Sequence, residues 1–515
     1  MKNAIIFLLT ILVASHSYGQ GINLSLGKIM SNEEYQELFQ GLASRSRLQP
    51  GSGRIKQAYF DPKTQKAYVG FRFGSRKGYQ IGTLDGYTNL NETNSLQANF
   101  GVGEKQKVYI LGFLNLKKRP HIVIAISDKE AKEEYVIASA IDEKAQMVGE
   151  PFLLERFEGK LNFFSPVFLS VSPDQQGFVV GKEQVEGIAS VGSLSFTVFN
   201  NQLEVKAKET IEVAKVIENF VLENISLDNS HNVFVQGYTH KSAAKNIGRL
   251  NKEIAKPVVA LYNAASKSFT NLPLDNSSTK DFVGSSVFLD NKGDAFAIEL
   301  YGEKEVEYVI SSINPRKGNL NWTTVNTLNK EKTKSIKAPK ASVQFFHPST
   351  LSSFNNQLYV TFESTVYMSG QGIEASSGSI LVCQLNKQSG QLTWQKIVTR
   401  KTSIGGYFAF TGHQAYANQN GLTLLYNDDV ANLNLPAESE KVKFFKKQNQ
   451  GMLVATNFSS EGKISKKALF TTEEEKGLLL EVHHMIEIND KLYQIKVSDP
   501  GMFGSFSTAY GTVKI

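Results

Sequence analysis

The sequence predicts an all-β protein: a β-propeller of about seven or eight four-stranded blades with a short N-terminal helical segment. Three observations carry this. A hairpin-like pattern returns about eight times, with an apolar stretch, a turn rich in Asp, Asn or Gly, and a second stretch holding an aromatic or branched residue. Its copies read AYFDPKTQKAYVGF, FGVGEKQKVYILGF, VFLSVSPDQQGFVV, ISLDNSHNVFVQGY, VFLDNKGDAFAIEL, LSSFNNQLYVTF, AYANQNGLTLLY and MIEINDKLYQIKV. The chain holds 33 Phe and 19 Tyr, which favour pleated, half-buried strands. Two further segments, EYVISSINPRKGNLNW and SILVCQLNKQSGQLTW, share a strand, a Gly-bearing turn and a closing tryptophan, Trp322 or Trp394, which indicates a duplicated unit.

Residues 1–19 read as a signal peptide. Lys2 supplies the positive start, Ala4 to Ala14 is apolar apart from Thr10, and Ser17 and Gly19 are small residues placed for cleavage before Gln20. Residues 20–53 read as a strand, a helix and a linker. GINLSL has strand character. In NEEYQELFQGL, Asn32 caps the helix, Glu33 and Glu34 suit its first turn, and Tyr35, Leu38, Phe39 and Leu42 form one apolar face. RLQPGSGR then leads into the repeats, which occupy 54–515. The segment 202–220 fits either a strand or a helical period.

Tracking one residue in the second strand of each hairpin gives Tyr68, Tyr109, Phe178, Phe234, Phe296, Tyr359, Leu424 and Tyr493. The gaps are 41, 69, 56, 62, 63, 65 and 69 residues, room for four short strands and their loops. The uneven gaps leave a pair of sandwiches or smaller propellers as the rival architecture. The last hairpin is followed by one further strand-like run, FSTAYGTVKI, so a complete last blade needs a strand from elsewhere. GINLSLG is the expected donor, closing the ring.

The hairpin pattern and the leader followed by Gln20 resemble secreted β-propeller proteins of Bacteroidota-type Gram-negative bacteria with loosely conserved repeats. The resemblance covers 54–515 and implies export to the periplasm or the cell exterior, with possible association with the outer surface. Motifs of named subclasses are mostly missing. SPDQQGFVV at 172–180 matches only the first half of a sialidase-type Asp box.

The formal charge of +7 is modest and its lysines are scattered, so no nucleic-acid stripe is expected. Short cationic runs such as Lys117-Lys118-Arg119 read as solvated turns. The single cysteine, Cys383, lies in an alternating apolar stretch and reads as a buried thiol. No later stretch has the roughly 18 apolar residues of a membrane span.

Chemistry is sparsely signalled. Asp61, Asp174, Asp228, Asp290, Asn355, Asn418 and Asn489 fall where the chain reverses and read as turn formers. A calcium reading is nearest at Asp290-Asn291-Lys292-Gly293-Asp294, but Lys292 and the missing distal Glu oppose it. No nucleophile elbow, zinc motif or phosphate loop is present, and no cofactor or metal is expected. Glu299, Glu363 and Asp428 or Asp429 are the carboxylates placed near strands that a glycan-active hydrolase or lyase would use at the propeller centre. The Gly-rich segments 70–82, 367–379 and 403–410 read as long loops on one rim of the ring. The 361–379 loop and the 403–420 segment make Tyr367, Met368, Tyr407, Phe408 and His413 the binding candidates. The leading functional reading is a binding or scaffolding module for a protein, a peptide or a cell-surface glycan. A component of an outer-membrane assembly, with an apolar patch on one rim, is a third.

Overall fold

The computed structural model describes residues 22–28, 30–31 and 53–515, except 62, 74–78, 92, 96–105, 129, 159–166, 187–189, 241–253, 273, 275–277, 279, 303–304, 330–331, 334–344, 370–372, 406–409, 446–447, 473, 475–476, 483–484, 490–491 and 500–506. The signal peptide and the expected helix over 32–42 lie outside the described residues.

Eight antiparallel sheets form an eight-bladed propeller. Blade 1 spans 53–95, blade 2 106–158, blade 3 168–211, blade 4 220–272, blade 5 282–328, blade 6 345–398, blade 7 414–471 and blade 8 479–514. Strands follow chain order from the axis outward, and first strands of neighbouring blades approach one another around the axis. The segment 202–220 resolves into the outer strand Val205–Ile211 of blade 3 and a short 3-10 turn, Val213–Lys215.

The outermost strand of blade 8 comes from the other end of the chain. Asn23–Leu26 pairs antiparallel with Ser507–Lys514, from Asn23 opposite Lys514 to Leu26 opposite Gly511. Gly511 is needed there, because a Cβ would sit 2.6 Å from the Leu26 side chain and the Ser25 carbonyl.

Alternation along the second strands explains how the blades hold together. Successive side chains point to opposite faces, so a strand apolar on both faces feeds two interfaces. In blade 6, Leu358, Val360 and Phe362 pack toward blade 5, and Tyr359 packs toward blade 7. An apolar cluster fills every junction between blades, including that between blades 8 and 1, where Tyr510 and Met30 meet Ala67, Val69 and Leu84. Each fully buried Phe, Leu or Val in these clusters contributes about 1.5–3 kcal/mol.

Seven of the eight tracked residues lie on second strands, and all seven are buried. Tyr109 does not: it sits on the first strand of blade 2, Gln106–Leu116. The true turn is Lys117-Lys118, and the second strand is Arg119–Asp128. With buried Ile122 in its place, the intervals from Tyr68 and to Phe178 become 54 and 56 residues, so the irregular gap disappears. The error arose because the first strand, KVYILGF, is as aromatic and branched as a second strand, while its turn carries lysines in place of Asp or Asn.

The turn reading of the acidic residues is direct. Asp228 Oδ1 accepts from the amides of Ser230 and Asn232 at 2.8 Å, and Asp290 Oδ1 accepts from Lys292 and Asp294 at 3.0 Å. Asp61 and Asp174 accept from Lys63 and Gln176 in the same way. The segment nearest to a calcium loop holds a lysine instead: Lys387 of blade 6 donates to Asp290 and lies 2.6 Å from Asp294.

The two tryptophan segments share one packing device. Trp322 on the outer strand of blade 5 donates its indole N–H to the Lys387 carbonyl in the blade 6 turn, and Trp394 of blade 6 donates to Ser460 in the blade 7 turn. Each ring lies against a left-handed glycine in that turn, Gly390 at φ +72° and Gly462 at φ +78°. A Cβ on Gly390 would stand 2.4 Å from the Trp322 ring. Gly390→Ala is therefore expected to lower unfolding free energy by at least about 1–2 kcal/mol from backbone strain alone, read by urea denaturation. Removal of residues 22–28 exposes the edge of Ser507–Lys514 and is expected to lower the melting temperature and expand the particle in small-angle scattering. An unchanged melting point and radius would refute the closing role of that strand.

Candidate functional site

Blades 6 and 7 carry the largest departures from the regular ring. The second and third strands of blade 6, Gln357–Ser369 and Ile373–Asn386, are the longest described strands and pair to Ser369 opposite Ile373. A further strand, Thr402–Gly405, adds to the edge of this extension at Glu374 to Ser377. The segment read as a rim loop is thus a three-stranded flap. It continues the sheet because Thr365, Val366 and Tyr367 keep strand chemistry beyond Glu363, where neighbouring blades turn. In blade 7 the connection from Asp429 to Gly451 makes a second excursion, joined to the flap by a bridge between Thr402 and Phe445.

A buried polar cluster anchors the flap. Tyr359, Thr361 and Glu363 share the face of blade 6 that looks at blade 7, so Glu363 enters the interface at the flap's base. Arg400, which follows the outer strand, is fully buried. Its guanidinium donates to Glu363 Oε1, to Ser377 Oγ at 2.8 Å and to the Gly412 carbonyl at 2.5 Å, and it lies 5.5 Å from the centre of the Tyr426 ring. One cation thereby ties the second and third strands of blade 6 to the chain entering blade 7.

His413 completes the cluster. Its Nδ1 is 2.8 Å from Glu363 Oε2 and its Nε2 is 2.8 Å from Thr361 Oγ1. A neutral ring donating from Nδ1 to the carboxylate and accepting the Thr361 hydroxyl proton at Nε2 satisfies all partners. Burial alone would raise the Glu363 carboxyl, but the adjacent Arg400 charge and the His413 hydrogen bond outweigh it and hold the pKa at about 2. Burial pushes His413 below its ordinary 6.5, against the pull of Glu363.

The order Thr361, His413, Glu363 is that of a hydroxyl, imidazole and carboxylate triad. Here the hydroxyl is fully buried and already accepts the Thr350 amide at 3.1 Å, so the group fastens strands and presents no nucleophile. Of the sequence-derived binding candidates, His413 belongs to this cluster. Tyr367 and Met368 sit in the flap strand opposite Ala375 and Glu374, and Tyr407 and Phe408 lie outside the described residues. The sequence reading missed Arg400 and Thr361. The alternation of Tyr359, Thr361 and Glu363 was a usable signal for one of them, whereas Arg400 in VTRKTS carries no pattern of its own.

The candidate carboxylates are enclosed by the protein. Glu299, Glu363, Asp428 and Asp429 are all buried. Glu299 accepts from Tyr301, Asp428 from Asn432 at 2.8 Å, and Asp429 from the Ala431 amide at 2.9 Å. Glu183 in blade 3 is half-buried and its carboxyl is pushed up to about 7 by burial. Cys383 is a buried thiol raised to about 12 by burial and 3.3 Å from the Tyr308 hydroxyl. Among the described residues there is no group of three or more metal-ligating side chains, and no helix long and apolar enough to cross a membrane.

Beside the cluster, the blade 7 excursion leans on the end of blade 6 through the Thr399 amide, 2.7 Å from the Ala437 carbonyl, and the Phe445 amide, 2.9 Å from the Lys401 carbonyl. It walls an open cleft of about 810 Å³, lined by Leu433, Leu435, Pro436, Ile464, Lys463 and Lys466 among others. A smaller recess of about 160 Å³ lies across the Lys396–Glu438 pair, which borders both.

No family model matches the chain, and no curated protein matches it. Among solved structures it is similar to dipeptidyl peptidase 4 of Porphyromonas gingivalis, at 11% identity and TM-score 0.41 over 86% of this chain and 56% of that one. It is also similar to the exo-β-1,3-galactanase 1,3Gal43A of Clostridium thermocellum, at 12% identity and TM-score 0.26 over 56% of this chain and 59% of the galactanase. A protein of unknown function from Dyadobacter fermentans aligns at 9% identity and TM-score 0.30 over 68% and 94% of the two chains. The chain thus spans a little over half the length of the peptidase and the galactanase. Scores this low bear on no activity.

Removing Arg400 leaves a carboxylate buried without its counter-charge. Arg400→Leu is expected to cost about 3–5 kcal/mol in urea unfolding. Folding depresses the pKa of both Glu363 and His413, so both stabilise at neutral pH and both contributions fade with acid. The His413 share falls as pH drops below 6.5, and the Glu363 share falls between 4.5 and about 2. Thermal melts from pH 7 to pH 3 are expected to show a steeper acid loss for the wild type than for Glu363→Gln.

Proposed function

We propose that the protein is an exported propeller that acts as a binding or scaffolding module in the periplasm or outside the cell, with its recognition surface on blades 6 and 7. The carrying observation is the joined pair of excursions: the blade 6 flap, fastened to the ring by the fully buried Arg400 cluster, and the 430–445 segment, which walls the cleft of about 810 Å³. A rigid base under irregular segments is how a scaffold presents a binding surface. Tyr367 and Met368 in the flap strand, and the sequence-derived candidates Tyr407 and Phe408, are the proposed contacts.

The cleft favours a protein or peptide partner. Its lining mixes the aliphatic Leu433, Leu435, Pro436 and Ile464 with Asn434 and with lysines and glutamates set close together, such as Lys463 and Glu461 at 3.0 Å. Such a surface suits an extended peptide chain with mixed side chains better than a sugar that needs an aromatic platform.

Two measurements test this. Mass spectrometry of the mature protein is expected to find Gln20 as its first residue; retention of residues 1–19 would defeat the export reading. Affinity capture from the cell envelope is expected to enrich one stable partner, and replacement of 367–374 by a short glycine linker is expected to reduce its recovery at least tenfold. If no partner appears and the purified protein depolymerises a polysaccharide in a manner lost in Glu183→Gln, the binding reading gives way to a glycan-active enzyme.

A further inference from the structure

We propose that the rim of blades 2 and 3 docks onto the surface of an anionic lipid bilayer. Large exposed apolar side chains are few among the described residues, and three of them gather between blades 2 and 3: Val148 and Phe152 on the outer strand of blade 2, and Val205 on the outer strand of blade 3, exposed by 47%, 41% and 55%, while Leu153, exposed by 53%, lies on the opposite face of its strand. They adjoin through the first turn of blade 2. The Lys117 ammonium lies 5.8 Å from the Phe152 ring, and the Lys117 amide donates to the Asn201 carbonyl at 2.9 Å, in the turn that leads to Val205.

The local backbone makes this a protrusion. Ala138 pairs with Phe152 and Ala140 with Val148, so Gly149, Glu150 and Pro151 stand as an arch opposite Ser139 alone. Gly149 has φ +76° and open space around it. The arch and its proline interrupt the edge ladder, so this strand is poorly made for pairing with another strand. What it offers is side chains: the aromatic Phe152 and the aliphatic Val148 on the face toward blade 3.

The charge beside them identifies the partner. Lys117, Lys118 and Arg119 are consecutive, all exposed, and none makes an ion pair with a described residue. The acidic groups on or next to the outer strands of blades 2 and 3 are Glu150, exposed in the arch; Glu155, 2.9 Å from Lys208; Glu158, at the far end of its strand; Glu204, 3.0 Å from Lys206; and Glu209, which accepts from the Tyr262 hydroxyl at 3.1 Å. At the protrusion itself, three consecutive cations with no ion pair among the described residues stand in the turn beside Phe152, and Glu150 is the carboxylate of the arch. Cations at headgroup level with aromatic and aliphatic side chains below them are the requirements of an interfacial membrane contact. Each basic residue near an anionic bilayer strengthens binding by about fivefold. The turn Lys117-Lys118 lies at the end of the ring opposite the blade 6 flap, because the second strands run from these turns toward the flap. A protein docked this way keeps the flap facing away from the lipid. The inference stands independently of any partner at blades 6 and 7.

The test is co-sedimentation of the mature chain with vesicles of phosphatidylcholine alone and of phosphatidylcholine mixed with phosphatidylglycerol. The wild type is expected to bind the mixed vesicles and not the neutral ones. K117Q/K118Q/R119Q and F152S/L153S change exposed groups, so both are expected to keep the wild-type melting temperature while losing at least tenfold in vesicle affinity. Lys132→Gln, at the other end of blade 2, serves as the control and is expected to bind as the wild type does. Equal binding to both vesicle types, or wild-type binding by F152S/L153S, would overturn the proposal, the latter because it reduces the contact to diffuse charge attraction. Failure to bind any vesicle while retaining on an acidic peptide column would also overturn it and assign the rim to a protein partner.

Discussion

Every blade of this protein depends on the ring being closed. A blade is a sheet with two apolar faces, and neither can be left in water, so each junction must be filled by side chains from two neighbours. Seven junctions follow from chain order. The eighth is assembled from remote segments, with Tyr510 from the end of the chain and Met30 from its start packed on Ala67, Val69 and Leu84 of blade 1. Asn23–Leu26 then covers the outer edge of blade 8 with backbone hydrogen bonds. Closure removes the need for capping units of the kind that stacked repeats require.

Within that frame, the junction of blades 6 and 7 obeys a different rule. Its inner part is apolar, with Tyr359, Val382, Leu424 and Tyr426 in contact. Toward the flap it becomes polar, and there the buried cation and imidazole are both answered: Arg400 by Glu363, Ser377 and Gly412, and His413 by Glu363 and Thr361. Such a network is costly to break and directional, so it fixes the angle at which the flap leaves the ring. Buried ion pairs also cross other junctions, as Lys182–Glu134 does between blades 2 and 3, but the longest described strands rise from this one.

The same economy of means appears at the turns. A carboxylate or amide that caps two amides replaces part of a ladder that cannot continue through a reversal. The tryptophans extend this from within a blade to between blades, laying an indole over the next turn and requiring glycine there. Tight turns crowd one end of the ring, and the long connections, including both excursions, leave from the other.

How much of this was legible depended on whether the physics was local. Aspartate turns, strand alternation and the buried Cys383 were readable because each follows from neighbours within a few residues. Tyr109 was misplaced because a lysine turn gives no signal of reversal, and pairing alone shows that Gln106–Leu116 precedes Lys117-Lys118. The flap read as a loop because Gly and Ser weaken the strand pattern, while its partner Thr402–Gly405 is distant in sequence. Glu363 was visible as a carboxylate near a strand, but nothing nearby shows that Arg400 and His413, 37 and 50 residues away, would enclose it. By itself the sequence determined the repeated sheet and its turns, since these arise from local backbone preference and side-chain period. Blade register, the filled eighth junction and the buried Arg400 cluster were decided by tertiary structure, since a charge or an edge strand acquires its partner only when distant segments are packed together.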